Sequence, residues 1–301
     1  MKRVAALFIL VILSACAPQE QAFNVASKTP KIEQGAFITA DSVRLPMRSW
    51  RLAKPRAIII AVHGFNDYSN AFDGAGKYFK KRGIATYAYD QRGFGAAPQT
   101  GVWAGEKNLT RDLHDFTTVI AKRHPKTPIF LMGESMGGAV VMLTEKEHPL
   151  PVSGMILQAP AVWGSDTMPA AYRILLWGMA HTLPEVKMTG KNLRIRASNN
   201  IPMLRRLGKD PLVIKGTRVD AIYGLTQLMD AAYHSPEHIK KRSLLLYGLK
   251  DKVIPRAPID AIKDRFATPT NTIFYDDGYH MLTRDLQGEE VLSDIADWVL
   301  K

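Results

Sequence analysis

A series of short, nearly unbroken apolar runs constrains this chain more than any other feature. They are Ala57–Val62, Ile84–Tyr89, Ile129–Met132, Met155–Gln158, Leu244–Tyr247 and Thr272–Tyr275. Runs this short and β-rich, with no polar alternation, are expected of strands covered on both faces. Helix-like segments lie between them. Leu109, Leu113, Phe116, Val119 and Ile120 fall at helical spacing and stop at His124-Pro125. Such alternation predicts an α/β fold with a mostly parallel central sheet. Ahead of these runs, Gly35–Ala40 and Val43–Trp50 predict a hairpin turning at Asp41-Ser42.

The run at 129 continues into Gly133-Glu-Ser-Met-Gly-Gly138, a Gly-x-Ser-x-Gly placed between a strand and a helix-like stretch. Glycines at 133 and 137 remove Cβ atoms where a sharp strand-to-helix turn crowds the backbone, so Ser135 is expected to project its hydroxyl at the sheet's edge. A serine hydroxyl attacks a carbonyl only when a base takes its proton, and the base needs an acid to set its tautomer. Asp251 follows the run at 244 and His280 follows the run at 272. The order Ser135, Asp251, His280 is that of an α/β-hydrolase. Asp276 and Asp277 are rivals to Asp251 because they stand beside the histidine, although nearness along the chain is not nearness in the fold. The negative oxygen formed on attack needs N–H donors, which Met136 and, in the His63-Gly64-Phe65 turn, Phe65 would supply. His63 is expected to brace that turn.

The motifs His63-Gly-Phe-Asn-Asp67, Asp90-Gln-Arg-Gly-Phe-Gly95, Gly133–Gly138, Tyr247-Gly-Leu-Lys-Asp251 and Gly278-Tyr-His280 resemble the landmarks of the monoacylglycerol lipase and lysophospholipase branch of the α/β-hydrolases (serine aminopeptidase S33 type). They run in that family's order from about residue 35 to the end. One departure is Gly93-Phe-Gly95-Ala-Ala, where the family often has Gly-His-Gly-x-Ser; those positions are not catalytic, so the change bears on substrate entry or loop packing. The resemblance implies that the insertion at about 161–235 is a helical cap whose apolar inner face receives an acyl chain. In it Tyr172, Leu175, Leu176 and Met179 share helical spacing, with Trp163, Met168 and Trp177 nearby. The expected substrates are monoacylglycerols, lysophospholipids or related esters, with no metal or cofactor. A peptidase or amidase of the same fold is the alternative, since related α/β-hydrolases cleave N-terminal residues and an acidic pocket would then hold a free amine. A non-catalytic envelope binding protein is a further alternative.

Composition adds the compartment. Of 301 residues 46% are hydrophobic, which excludes disorder for the bulk, and the single cysteine excludes an intramolecular disulfide. That cysteine, Cys16, ends MKRVAALFILVILSAC, where Lys2 and Arg3 precede an uncharged run from Val4 to Leu13. Ten residues of helix span about 15 Å, half of a hydrocarbon core of about 30 Å, so the stretch reads as a secretory signal and not as a span. Leu13-Ser-Ala-Cys16 resembles the bacterial lipobox, implying cleavage before Cys16 and lipidation of its thiol. Ala17 after it, by resemblance to Gram-negative lipoproteins, favours the outer membrane. The domain reading is therefore a signal at 1–15, a polar tether at 16–33 and a hydrolase domain at 34–301. Removing Lys2 and Arg3 takes the formal charge from +12 to +10. The remaining positive residues are dispersed, and nucleic acid is hard to reconcile with export.

Overall fold

The structure is a computed structural model that describes residues 17–25, 27–164, 167–190 and 195–301. Cys16 and the signal reading at 1–15 lie outside the described residues. The strands are β1 (Lys31–Glu33), β2 (Ala36–Ile38), β3 (Arg44–Trp50), β4 (Ala57–Val62), β5 (Ile84–Tyr89), β6 (Ile129–Glu134), β7 (Gly154–Gln158), β8 (Lys187–Met188), β9 (Thr217–Arg218), β10 (Ser243–Gly248) and β11 (Thr270–Tyr275). The helices are α1 (Asp73–Lys81), α2 (Glu106–Arg123), α3 (Met136–Glu147), α4 (Ala170–Thr182), α5 (Ile201–Lys209), α6 (Val219–Tyr233), α7 (Arg256–Ile262) and α8 (Gly288–Leu300).

Nine strands form one sheet in the order β1-β2-β3-β5-β4-β6-β7-β10-β11. From β5 to β11 every pairing is parallel, while β1 to β3 form an antiparallel edge. The apolar runs become these parallel strands because both faces are covered. In β4, Ile58, Ile60 and Val62 enter the core under α2, α3 and α6, and Ile59 and Ala61 enter the core under α1 and α8. Every residue of β4, β5 and β6 is buried. Helix α2 ends at His124 as its spacing predicts. The hairpin turns at Asp41-Ser42, with Ser42 left-handed at φ 72°.

Two parts of the chain depart from the sequence expectations. The described residues between 17 and 33 do not stand clear as a tether. Gln21 N–H donates to Trp103 O at 2.8 Å, Arg111 donates to Asn24 O at 2.7 Å and covers the Phe23 ring at 4.2 Å, and β1 extends the sheet. A polar stretch without apolar period can still be held when its amides meet a neighbouring backbone edge, here at Trp103. Between β7 and β10 the chain leaves the sheet through α4, α5 and α6, and carries a two-stranded ribbon, β8 with β9, that the sequence did not predict.

A buried ion cluster joins the antiparallel edge to the parallel sheet. Arg92, after β5, donates to Asp112 on α2 through Nε at 2.6 Å and Nη2 at 2.9 Å, and to Asp41 of the hairpin turn at 2.9 and 2.6 Å. All three side chains are at most 2% exposed. Burial works to raise the Asp41 carboxyl, but the Arg92 and Thr39 hydrogen bonds outweigh it and hold Asp41 at about 2. Removing one partner strands the others without water. Arg92→Ala is therefore expected to cost about 3–5 kcal/mol of folding stability, read from urea denaturation, whereas replacing the exposed ion-pair residue Lys77 by Ala should cost less than about 1 kcal/mol.

Candidate active site

Ser135 sits between β6 and α3 with φ 54° and ψ −118°, a conformation that only a tightly held turn supports. The glycines around it are obligatory for a steric reason. A Cβ on Gly137 would lie 2.0 Å from the Val62 carbonyl oxygen, and one on Gly133 would lie 2.4 Å from the Gly137 oxygen. The serine's backbone is pinned from the next strand as well: its N–H donates to Gln158 O at 2.9 Å and its carbonyl accepts from Ala161 N–H at 2.9 Å.

Asp251 and His280 come together from two loops at the same end of the sheet. Strands β10 and β11 pair in parallel, and their following turns touch glycine on glycine, since a Cβ on Gly248 would meet Gly278 at 2.4 Å. His280 Nδ1–H donates to Asp251 Oδ2 at 2.7 Å, and both side chains are at most 6% exposed. The other carboxylate oxygen accepts from Val253 N–H at 2.7 Å and Ile254 N–H at 3.2 Å, which fixes its rotation. Asp277, the sequence rival, instead pairs with Lys250 on the surface. Asp251 lies 29 residues from the histidine it bonds.

Ser135 and His280 face one cavity of about 570 Å³, a size suited to a small organic ligand. Gly64 and Phe65 line it beside the serine, while Trp163, Met168, Tyr172, Leu175, Leu176 and Met179 line it from the inserted segment. Trp177 does not: it is 55% exposed and stacks on His181 at 4.3 Å. Phe65 N–H and Met136 N–H have no protein acceptor among the described residues. The loop carrying Phe65 is braced by His63, whose Nδ1–H donates to Gly64 O at 2.9 Å while Nε2 accepts from Gln91 N–H at 2.9 Å. Phe94, at the departure from the family pattern, packs edge-on against His63 and Phe65, at 5.7 and 5.5 Å, so that change is accommodated in loop packing.

The sequence reading missed the dipeptide Arg284-Asp285. Arg284, its side chain 12% exposed, donates to Asp67 Oδ2 at 2.7 Å and to Glu134 Oε1, next to the serine. Asp285 accepts from Tyr279 N–H at 2.7 Å, adjacent to His280, and from the Ser198 hydroxyl at 2.5 Å. Two neighbouring side chains thus hold the serine turn, the Phe65 loop, the histidine loop and the inserted segment together. Their signal was weak, because an Arg-Asp pair in a C-terminal loop looks like ordinary surface until its partners, Glu134 and Tyr279 among them, are known.

Ser135 in its strained turn and His280, held by a buried carboxylate, line one cavity, and these are groups that acyl transfer would use. Residues 53–287 match the family model described as serine aminopeptidase, S33. The chain belongs to that family. Among its relatives, the monoglyceride lipase of Rattus norvegicus is 26% identical over 272 residues, covering 87% of this chain and 89% of the relative. The monoacylglycerol lipase of Mycolicibacterium smegmatis is 27% identical over 278 residues, covering 88% and 96%. The crystal structure of Paleococcus ferrophilus monoacylglycerol lipase shares the fold with TM-score 0.73 at 21% identity, covering 85% of this chain and 98% of that one.

The His63 brace sets a pH dependence for this S33-family fold. Burial holds the imidazole below its ordinary pKa, and its one-donor, one-acceptor bonding suits only the neutral ring. The unfolded chain takes up a proton near about pH 6.5 where the folded one resists, so stability is lost as pH falls below that value, by at most about 1.4 kcal/mol per pH unit. Urea midpoints from pH 8 to 5 are expected to decline, and to decline less steeply in His63→Gln.

Proposed function

We propose that this carboxylic ester hydrolase cleaves lipid-type esters, monoacylglycerols or lysophospholipids, through a serine acyl-enzyme. Ser135 attacks the ester carbonyl as His280 takes its proton; Asp251 keeps the imidazole in the Nδ1–H tautomer and stabilises the imidazolium. Phe65 and Met136 N–H groups hold the oxyanion. The imidazolium then protonates the departing alcohol. Water, activated by the same base, releases the fatty acid and regenerates the serine. No step calls on a metal or cofactor.

One observation carries the substrate class: the cavity that Ser135 and His280 share is walled by tryptophan, methionine and leucine side chains, and the carboxylates that line it are already engaged. Asp67 and Glu134 both bond Arg284. An aminopeptidase needs a carboxylate free to meet an amine, and these two are taken up inside the protein, by Arg284 and by Tyr68 N–H on Asp67 and Gln158 Nε2 on Glu134, so an acyl chain suits the cavity better than an amino terminus. The relatives named as monoglyceride lipases support the same reading.

With a monoacylglycerol or a long-chain p-nitrophenyl ester, Ser135→Ala is expected to lower kcat by at least about 10⁴-fold, and Asp251→Asn by about 10³–10⁴-fold, at unchanged thermal stability. Faster turnover of aminoacyl anilides than of esters would replace the lipase reading by the peptidase one. Failure of the folded protein to react with a fluorophosphonate probe would point instead to a non-catalytic envelope protein.

The cell-envelope reading belongs to the same proposal. Cys16 carries the lipid that anchors the enzyme, at the outer membrane if the cell is Gram-negative. Tritiated palmitate is expected to label the full chain and to be lost in Cys16→Ser; equal labelling of both would overturn the anchor.

A further inference from the structure

The loop that carries Phe65 is fastened to the inserted segment by the residue that follows it. Asn66 stands third in a four-residue turn, Gly64 to Asp67, which Asp67 N–H closes on Gly64 O at 3.3 Å. Its φ is 65°, a left-handed value that asparagine tolerates better than most side chains. The Asn66 carbonyl accepts from Ile214 N–H at 3.0 Å, and Nδ2 donates to Thr217 Oγ1 at 2.7 Å across 151 residues of chain. Oδ1 is buried and meets no donor among the described residues, so the amide is held through Nδ2 alone.

Thr217 stands on β9 opposite Met188 of β8. Met188 lines the cavity, and so do Ile222 and Leu225 on α6, which starts directly after β9. The ribbon that grips Asn66 therefore carries cavity wall on either side of the grip. Before the donor, His63 braces the turn through Gly64 O and Gln91 N–H. The Phe65 ring packs edge-on against Phe94 and Trp103, at 5.5 and 6.3 Å. Ring contacts place a side chain but tolerate small rotations of the peptide beside it, whereas a hydrogen bond is directional. After the donor, the directional hold on this turn is the one through Asn66.

We propose that Asn66 is a positioning residue for the oxyanion: by docking the turn on Thr217 and Ile214 it aims the Phe65 N–H, so the inserted segment takes part in catalysis as well as in lining the cavity. The inference rests on the reading of Ser135 as nucleophile and of Phe65 N–H as oxyanion donor given above. The oxyanion exists only after attack, when the carbonyl electron pair has moved onto oxygen. A misaimed donor therefore costs turnover and leaves substrate binding nearly alone. Losing a donor outright costs about 10²–10³-fold in kcat. Here the Ile214 bond persists when the Asn66 side chain is removed, so the loss is smaller.

Asn66→Gly keeps the left-handed backbone and deletes the amide, Thr217→Val deletes its acceptor, and Thr217→Ser keeps it. With p-nitrophenyl octanoate, Asn66→Gly and Thr217→Val are each expected to lower kcat about ten-fold with KM changed less than about two-fold, and Thr217→Ser to stay near the parent. The double variant is expected to lose no more than either single one, since both break the same bond. A dodecyl trifluoromethyl ketone gives a second readout: Ser135 Oγ adds to its carbonyl carbon, the serine proton passes to His280 and the carbonyl pair becomes the oxyanion. Its inhibition constant is expected to weaken by the same factor as kcat, whereas that of 1-dodecanol, which forms no adduct, stays unchanged. An undiminished kcat in Thr217→Val, multiplied losses in the double variant, or equal weakening of ketone and dodecanol would overturn the inference. Urea midpoints establish that each variant is folded; where Asn66→Gly does not fold, Thr217→Val against Thr217→Ser carries the test. Full activity of Ser135→Ala sinks the acyl-enzyme reading, whereas an inert Ser135→Ala beside fully active Asn66→Gly and Thr217→Val sinks this inference alone.

Discussion

The close approach of α3 to the end of β4 governs the rest. Gly137 leaves its Cα so near the Val62 carbonyl that no side chain could stand there. That contact forces the left-handed turn at Ser135 and directs the start of α3 toward the same sheet edge as the loop after β4. The strain is sustained because the parallel sheet holds both strand ends from either side, with Ile60 opposite Leu131 and Val62 opposite Gly133. The candidate site residues are arranged around this turn: the Phe65 loop arrives from β4, Ser135 from β6, and Asp251 and His280 from the loops after β10 and β11.

Buried charge performs the second task, joining elements that the sheet does not. Arg92 ties the antiparallel edge to α2, and Arg284 ties the histidine loop to the serine turn and the Phe65 loop. Both are arginines, whose planar fork can bond two carboxylates at once, as a lysine's single ammonium does less well. At Arg284 this has a chemical by-product. The two acids bordering the cavity share one guanidinium, which offsets one of their two charges and engages both within the protein.

The cap segment serves the cavity and the outside with different residues of one helix. Leu176 and Met179 face inward, Ile174 faces out, and Leu175 takes part in both. Helical periodicity accounts for this division, because residues three or four apart share a face while their neighbours point elsewhere. The N-terminal segment docks beside the same region through Arg218 and Asp220, so the polar stretch that looked like a spacer is part of the body.

The parallel strands were legible because fully buried strands require unbroken apolar runs; β4 and β5 have the bounds that the sequence predicts, and the others differ by one or two residues at their ends. The serine turn was legible because its sterics admit only glycine at 133 and 137. Short edge pieces such as β1, β8 and β9 were not, since two or three residues held by a neighbour's backbone need no particular side chains. The preference of His280 for Asp251 over Asp277, the grip of Arg284 on Glu134 and Asp67, and the fastening of Gln19 to Arg218 were settled only in three dimensions. Local pattern, by itself, determined which segments are strands and which serine is strained, because burial and backbone crowding act on near neighbours. Only the tertiary structure decided which charges meet, because a hydrogen bond depends on distance in space and is indifferent to the 29 or 150 residues of chain between its partners.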